Sequence, residues 1–134
     1  MSDDFTASVD LYVRSTLARK AFDLVVLDVR ELTSVADAFI LCSGRSNRQV
    51  TAIAEAIQQQ LKRRKKKPLS VEGAREGQWV LLDYGEVVIH IFYEPVRRFY
   101  DLEGLWVDAR RITTNSMAAA PQADSALQPD VDEE

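Results

Sequence analysis

Four features of this sequence are of kinds that carry chemistry in other proteins: the turn Ser43-Gly44-Arg45-Ser46, the thiol of Cys42, the imidazole of His90 and the carboxylates Glu72 and Asp83. The turn joins an apolar run to an amphipathic one, and backbone amides at a helix N-terminus can hold a phosphate. Chemistry on a bound triphosphate needs paired carboxylates to hold magnesium, whereas PLSVEG and WVLLDY offer only the isolated Glu72 and Asp83. Gly44 and Ser46 therefore read as a turn and a helix cap. His90 lies in an apolar run with no second His or Cys at ligand spacing, and a metal centre takes three or four protein ligands. It reads as a buried imidazole bonded to a neighbour. Cys42, within FILCS, lacks the exposed electropositive setting of a reactive thiol and reads as core. No catalytic residue, metal or cofactor is expected.

Two further features are of kinds that bind. The run KRRKKK at 62–67 places consecutive cations at the end of an amphipathic segment. The helix macrodipole favours them there, and Lys65, Lys66 and Lys67 are candidates for an auxiliary contact with RNA phosphates. No aromatic interrupts the run, so base stacking is not indicated. Aromatics gather instead between residues 79 and 106, which hold seven of the chain's eleven: Trp79, Tyr84, Phe92, Tyr93, Phe99, Tyr100 and Trp106.

The elements that must position these groups follow from periodicity. Phe5, Val9, Tyr12, Val13, Thr16 and Leu17 recur at helical spacing in DDFTASVDLYVRSTLARK, with Ser2 or Asp3 available as a cap. FDLVVLDV and ADAFILCS are short, apolar and β-branched, as strands are. Ser46 followed by Gln49 matches a capping box, and Val50, Ile53, Ala54, Ile57 and Leu61 extend an apolar stripe towards Lys65. PLSVEG, WVLLDY and EVVIHIF read as three more strands, the last two joined at Gly85 in a hairpin. Pro95 through Leu102 reads as a short helix. The fold class is a single α/β domain, a mixed sheet of about five strands flanked by helices.

Charge is unevenly divided. Residues 1–112 hold all 17 basic groups and 16 of the 21 acidic ones, and residues 113–134 hold the remaining five carboxylates. The latter segment has two prolines and little to bury, so ordering it would lose entropy without compensation, and it reads as an acidic disordered tail. With one cysteine there is no intramolecular disulfide. No segment suggests export or membrane insertion, so a cytoplasmic location is expected.

Asp37, Phe39, Ile40, Ser43, Gly44, Ser46, Arg48, Gln49 and Val50, followed by Trp79, Val80, Asp83, Gly85, Val87, Val88, His90 and Phe92, form a pattern that YDLEGLW at 100–106 completes. This pattern resembles the ribosomal silencing factor family, also called Iojap-like, over nearly all of residues 1–112. The resemblance implies a nucleotidyltransferase-like topology without catalytic carboxylates. It also implies a non-enzymatic translation repressor that binds the large ribosomal subunit through its fourteenth large-subunit protein. Such a protein blocks joining of the small subunit, aids large-subunit maturation and forms a homodimer when free. The alternative reading takes the turn as similar to the Gly-Ser opening of nucleotidyltransferases, and the chain as an enzyme acting on a nucleotide at Gly44 and Ser46.

Strand alternation places Trp79, Leu81 and Asp83 on one face of their strand. With Arg97, Arg98, Tyr100, Asp101 and Glu103 they make the expected partner-binding set. Trp79 and Tyr100 are its anchors, the acidic groups would meet basic groups of a ribosomal protein, and the two arginines would reach the partner or pair with these carboxylates. Phe92, Phe99 and Trp106 are expected in the core.

Overall fold

The computed structural model describes residues 2–119. Its centre is a pair of parallel strands, β2 (Ala38–Gly44) and β5 (Val87–Tyr93), running in register from Ala38 opposite Val87 to Gly44 opposite Tyr93. Each carries almost nothing but buried residues, as strands covered on both faces do. Around this pair β1 (Phe22–Asp28), β3 (Ser70–Glu72), β4 (Trp79–Asp83) and β6 (Arg110–Ile112) complete a six-stranded mixed sheet in the order β3-β4-β5-β2-β1-β6. All pairings other than β2 with β5 are antiparallel.

One face of the sheet is closed by α1 (Ser2–Thr16) and α2 (Asn47–Arg63). Val9, Tyr12 and Val13 of α1 and Val50, Ile53, Ile57 and Leu61 of α2 pack there on Val26, Ile40, Cys42, Val80, Leu82, Ile89 and Ile91. The other face, with Leu27, Phe39, Leu41, Val88 and Phe92, is covered only in part, by α3 (Glu94–Tyr100) and α4 (Leu102–Leu105).

Local chemistry sets the element ends. Ser46 Oγ accepts from Gln49 N at 3.1 Å, as the capping box requires, while Gln49 Oε1 reaches back one residue beyond the cap to Arg45 N. Between β4 and β5, Gly85 has φ of 89° and donates to Asp83 Oδ1 at 2.8 Å, which closes the expected hairpin turn.

The sequence expectation differs from the structure in four places. A sixth strand, β6, is three residues long and mostly arginine, so no alternation announces it. The helix expected from Pro95 to Leu102 is two helices, because Asp101 adopts φ of 49° and caps the second through Gly104 N. The first helix stops at Thr16, ahead of a short turn in which Arg19 and Lys20 have positive φ. Finally, α5 (Asn115–Ala119) lies in the stretch assigned to the tail. Asp10 holds it to α1, accepting from Ser116 N at 2.9 Å and Ser116 Oγ at 2.8 Å. Residues 120–134 lie outside the described residues.

Candidate functional site

The partly covered face of the sheet carries a continuous ladder of aromatic rings. Trp106 meets Phe39 edge-on at 5.0 Å, Phe39 meets His90 at 5.4 Å, His90 meets Trp79 at 6.0 Å, and Trp79 meets Tyr100 at 5.0 Å. Phe99 ends the ladder, 5.1 Å from Tyr100, while Phe92 supports Trp79 from below at 4.8 Å. The ladder climbs from core to solvent: Phe39 and His90 are buried, Trp79 and Trp106 half-buried, Tyr100 52% exposed and Phe99 80% exposed. Leu105 and Val107, beside Trp106 in the chain, are 76% and 75% exposed. Single apolar side chains are ordinary on a surface, whereas here several exposed ones lie along one face.

Trp79 has a second role. Its Nε1 donates to His90 Nδ1 at 3.1 Å, which fixes the neutral imidazole with its proton on Nε2. Burial holds the His90 pKa down at about 4, against an ordinary 6.5. The folded state thus resists a proton that the unfolded chain accepts. Stability is full above pH 6.5 and falls as pH drops through the window from 6.5 to about 4. The loss is expected to reach roughly 3 kcal/mol, and His90→Gln, which keeps an acceptor for Trp79, should flatten it. Urea midpoints at about pH 7 and about pH 5 check this; an undiminished drop in the variant would assign the loss to other groups.

The expected partner-binding residues divide between this face and the interior. Trp79, Leu81 and Tyr100 lie on the aromatic face, Trp79 and Leu81 half-buried. Arg98 and Asp101 are exposed beside it. Asp83 is half-buried and holds the Gly85 turn. Arg97 does not reach outward: it is 8% exposed, and its Nη1 donates to Asp23 O at 2.7 Å and Ser43 Oγ at 2.8 Å. Its Nε and Nη2 donate to the two oxygens of Glu103 at 3.2 and 3.1 Å. Glu103 in turn pairs with Arg111 at 3.5 Å. Of the two roles open to Arg97, the internal pairing is the one realised. Beside it is a shallow cleft, to which Asp23, Glu94, Asp101 and Glu103 contribute more negative than positive charge.

Phe92 is core, as expected, and Trp106 packs on the core from its edge, but Phe99 is a correction. Two residues around a helix turn the side chain by about 200°, so burying Arg97 against the sheet sends Phe99 to solvent. Leu105 and Val107 are also exposed neighbours of the ladder that periodicity did not single out.

The remaining chemical candidates are used internally. Burial pushes the Cys42 thiol up to about 12. At the Ser43–Ser46 turn, the amides of Arg45 and Gln49 are engaged by side chains of the same turn, and a Cβ on Gly44 would meet Val50 Cγ2 at 3.0 Å. Among the described residues no group of three or more His, Cys, Asp or Glu side chains could hold a metal ion. No helix among them is long and apolar enough to cross a membrane. At the far end of α2, Lys65 and Lys67 are exposed, and Lys66 is half-buried with its Nζ 5.9 Å from the centre of the Tyr12 ring.

Comparison with known proteins places the chain in a family. The family model described as "Ribosomal silencing factor during starvation" matches residues 2–134. A Bacillus subtilis protein named ribosomal silencing factor RsfS is 42% identical over 91 residues, 68% of this chain and 77% of its own. A mouse protein named mitochondrial assembly of ribosomal large subunit protein 1 is 30% identical over 101 residues, 73% of this chain and 44% of its own. The crystal structure of a Chromobacterium violaceum protein superposes with a TM-score of 0.72 at 36% identity, covering 84% of this chain and 93% of that one. This chain belongs to the ribosomal silencing factor family.

Proposed function

We propose that this protein represses translation by binding the large ribosomal subunit through its fourteenth large-subunit protein, so that the small subunit cannot join. The observation that carries the reading is the aromatic ladder, which leaves Phe99 and Tyr100 exposed on a rigid support of sheet and helix. Tyr100 and the outer edge of Trp79 are the anchors, and Leu81, Phe99, Leu105 and Val107 extend the contact. Arg98, Asp101 and the outward side of Glu103 form its polar rim, with the acidic cleft facing basic groups of the partner. Arg97 serves the site by holding Glu103. The mouse relative is named for assembly of a ribosomal large subunit, which supports the same subunit as the partner here and a further role in its maturation.

The protein acts by occupancy, without catalysis or cofactor, in the cytoplasm. When it is free, a second copy covers the same aromatic face as a homodimer, since a large exposed apolar patch tends to find a partner. Sedimentation of purified subunits with the protein tests the reading. The chain should travel with the large subunit and deplete the joined particle; a chain that stays unbound, or that follows the small subunit, overturns it.

Lys65, Lys66 and Lys67 add an auxiliary contact with ribosomal RNA. Replacing all three by glutamine should weaken large-subunit binding modestly and lower the slope of log affinity against log salt by up to about 3. An unchanged slope would return the run to solvent.

A further inference from the structure

The aromatic ladder has at its centre a polar group that the fold leaves unmatched. His90 stands between Val88 and Phe92 on the outer side of β5, opposite Leu41 of β2 and Leu81 of β4. It is 5% exposed. Its Nδ1 accepts from Trp79 Nε1, so the proton is on Nε2, and that N–H is shielded from solvent with no hydrogen-bond partner. The rings around the imidazole are Phe39, Trp79 and Phe92, and the one polar atom among them, Trp79 Nε1, is a donor already in use. A water held there would need two or more polar partners, and these rings supply none beyond the imidazole itself. A buried donor left unmade costs more than a made bond contributes, and folds rarely keep one.

Its direction shows from which side an acceptor can come. Side chains of a strand stand roughly perpendicular to the sheet, and in an imidazole Nε2 lies farther from the backbone than Nδ1. The N–H is therefore carried by the outer end of the ring, on the face that α3 and α4 cover only in part. In the ladder, Trp106 and Trp79 stand on either side of the Phe39–His90 pair, and both are half-buried. A docking surface can turn such side chains aside without moving a strand, as interfaces commonly do.

We infer that His90 is the polar centre of the partner-binding face: its Nε2–H donates to a carbonyl oxygen that the partner delivers between Phe39 and Trp79. This rests on the proposed binding of the large subunit through the aromatic face and adds what that face selects. A carbonyl is favoured over a carboxylate because the surrounding rings would strip a full charge of its water. A partner that presents only apolar groups at this point leaves the donor unmade. The single oxygen thus discriminates among surfaces that the rings alone would accept alike.

The chain has one histidine, so labelling with 15N-histidine gives a single imidazole to follow. On titration of the full chain with the isolated fourteenth large-subunit protein, the proton on Nε2 should move downfield as the complex forms. His90→Asn, whose shorter amide accepts from Trp79 but ends before the Nε2 position, should bind that protein about tenfold more weakly. His90→Gln, whose longer amide offers a donor as well as an acceptor, should regain most of the loss. The Trp79 indole N–H resonance of each free variant, unmoved from its position in the parent, checks that the loss does not come through Trp79. A complex in which the Nε2 proton stays where it was, or parental affinity in His90→Asn, would overturn this inference and leave the proposed face standing. Absence of any complex, with the isolated protein and with the large subunit alike, would overturn both.

Discussion

Trp79→Ala is expected to cost the fold about 3 kcal/mol and to abolish large-subunit binding, whereas Tyr100→Ala loses the binding alone. The two rings touch, but they stand at different depths. Trp79 packs on Phe92, donates to His90 and is half-buried, so its removal opens a cavity and leaves the His90 acceptor unpaired. Tyr100 is 52% exposed on the last residue of α3 and packs on Trp79 and Phe99. Truncating an anchor at the centre of an interface costs about 2 kcal/mol or more, roughly thirtyfold in affinity, and leaves the free protein nearly as stable as before. Denaturant midpoints and subunit sedimentation on both variants separate the effects. If Tyr100→Ala stays folded and binds at parental affinity, the contact surface is elsewhere on the molecule.

Arg97→Ala carries the other large effect, an expected destabilisation of about 3–5 kcal/mol. One guanidinium on α3 joins β1 through Asp23 O, β2 through Ser43 Oγ and α4 through Glu103. Alanine leaves the Asp23 carbonyl, the Ser43 hydroxyl and the Glu103 carboxylate short of a donor at once, and unmade bonds cost more than made ones stabilise. Lysine restores charge without the planar fork, so Arg97→Lys should recover only a minor part. Urea denaturation of both variants gives the ranking; parental stability in Arg97→Ala would mean that the guanidinium contributes no net stability.

How much of this was legible in the sequence depends on whether a feature is local. The α2 cap, the apolar stripe from Val50 to Leu61 and the hairpin at Gly85 are written in neighbouring residues, and the structure has them. The division of β4 into an inner set, Val80 and Leu82, and an outer set, Trp79, Leu81 and Asp83, follows from period two alone. What was not legible depends on distant pairing. β6 exists because β1 offers it an edge, with Leu27 opposite Arg111, and nothing in Arg110–Ile112 states this. The fate of Arg97 was set by Asp23 and Ser43, which only the folded sheet brings to it. Phe99 was read as core because large aromatics usually are, and the short helix carrying it gave too few turns for a stripe to show which side faced in.

The parallel centre of the sheet has a consequence in time. β1 and β2, like β4 and β5, are consecutive in the chain and can pair early, but β2 and β5 meet only after everything from Arg45 to Glu86 has been carried across. Closing a long connection loses entropy before any contact repays it, so the most deeply shielded seam should be among the last to close on the way up the barrier. Folding is then the docking of two preformed halves along β2 and β5. Ile40 and Ile89, opposite one another across that seam and both fully buried, are the residues whose shortening to valine should slow folding. Shortening Met117, on α5 and away from that seam, should instead speed unfolding, and chevron plots of the variants would show on which limb each change falls.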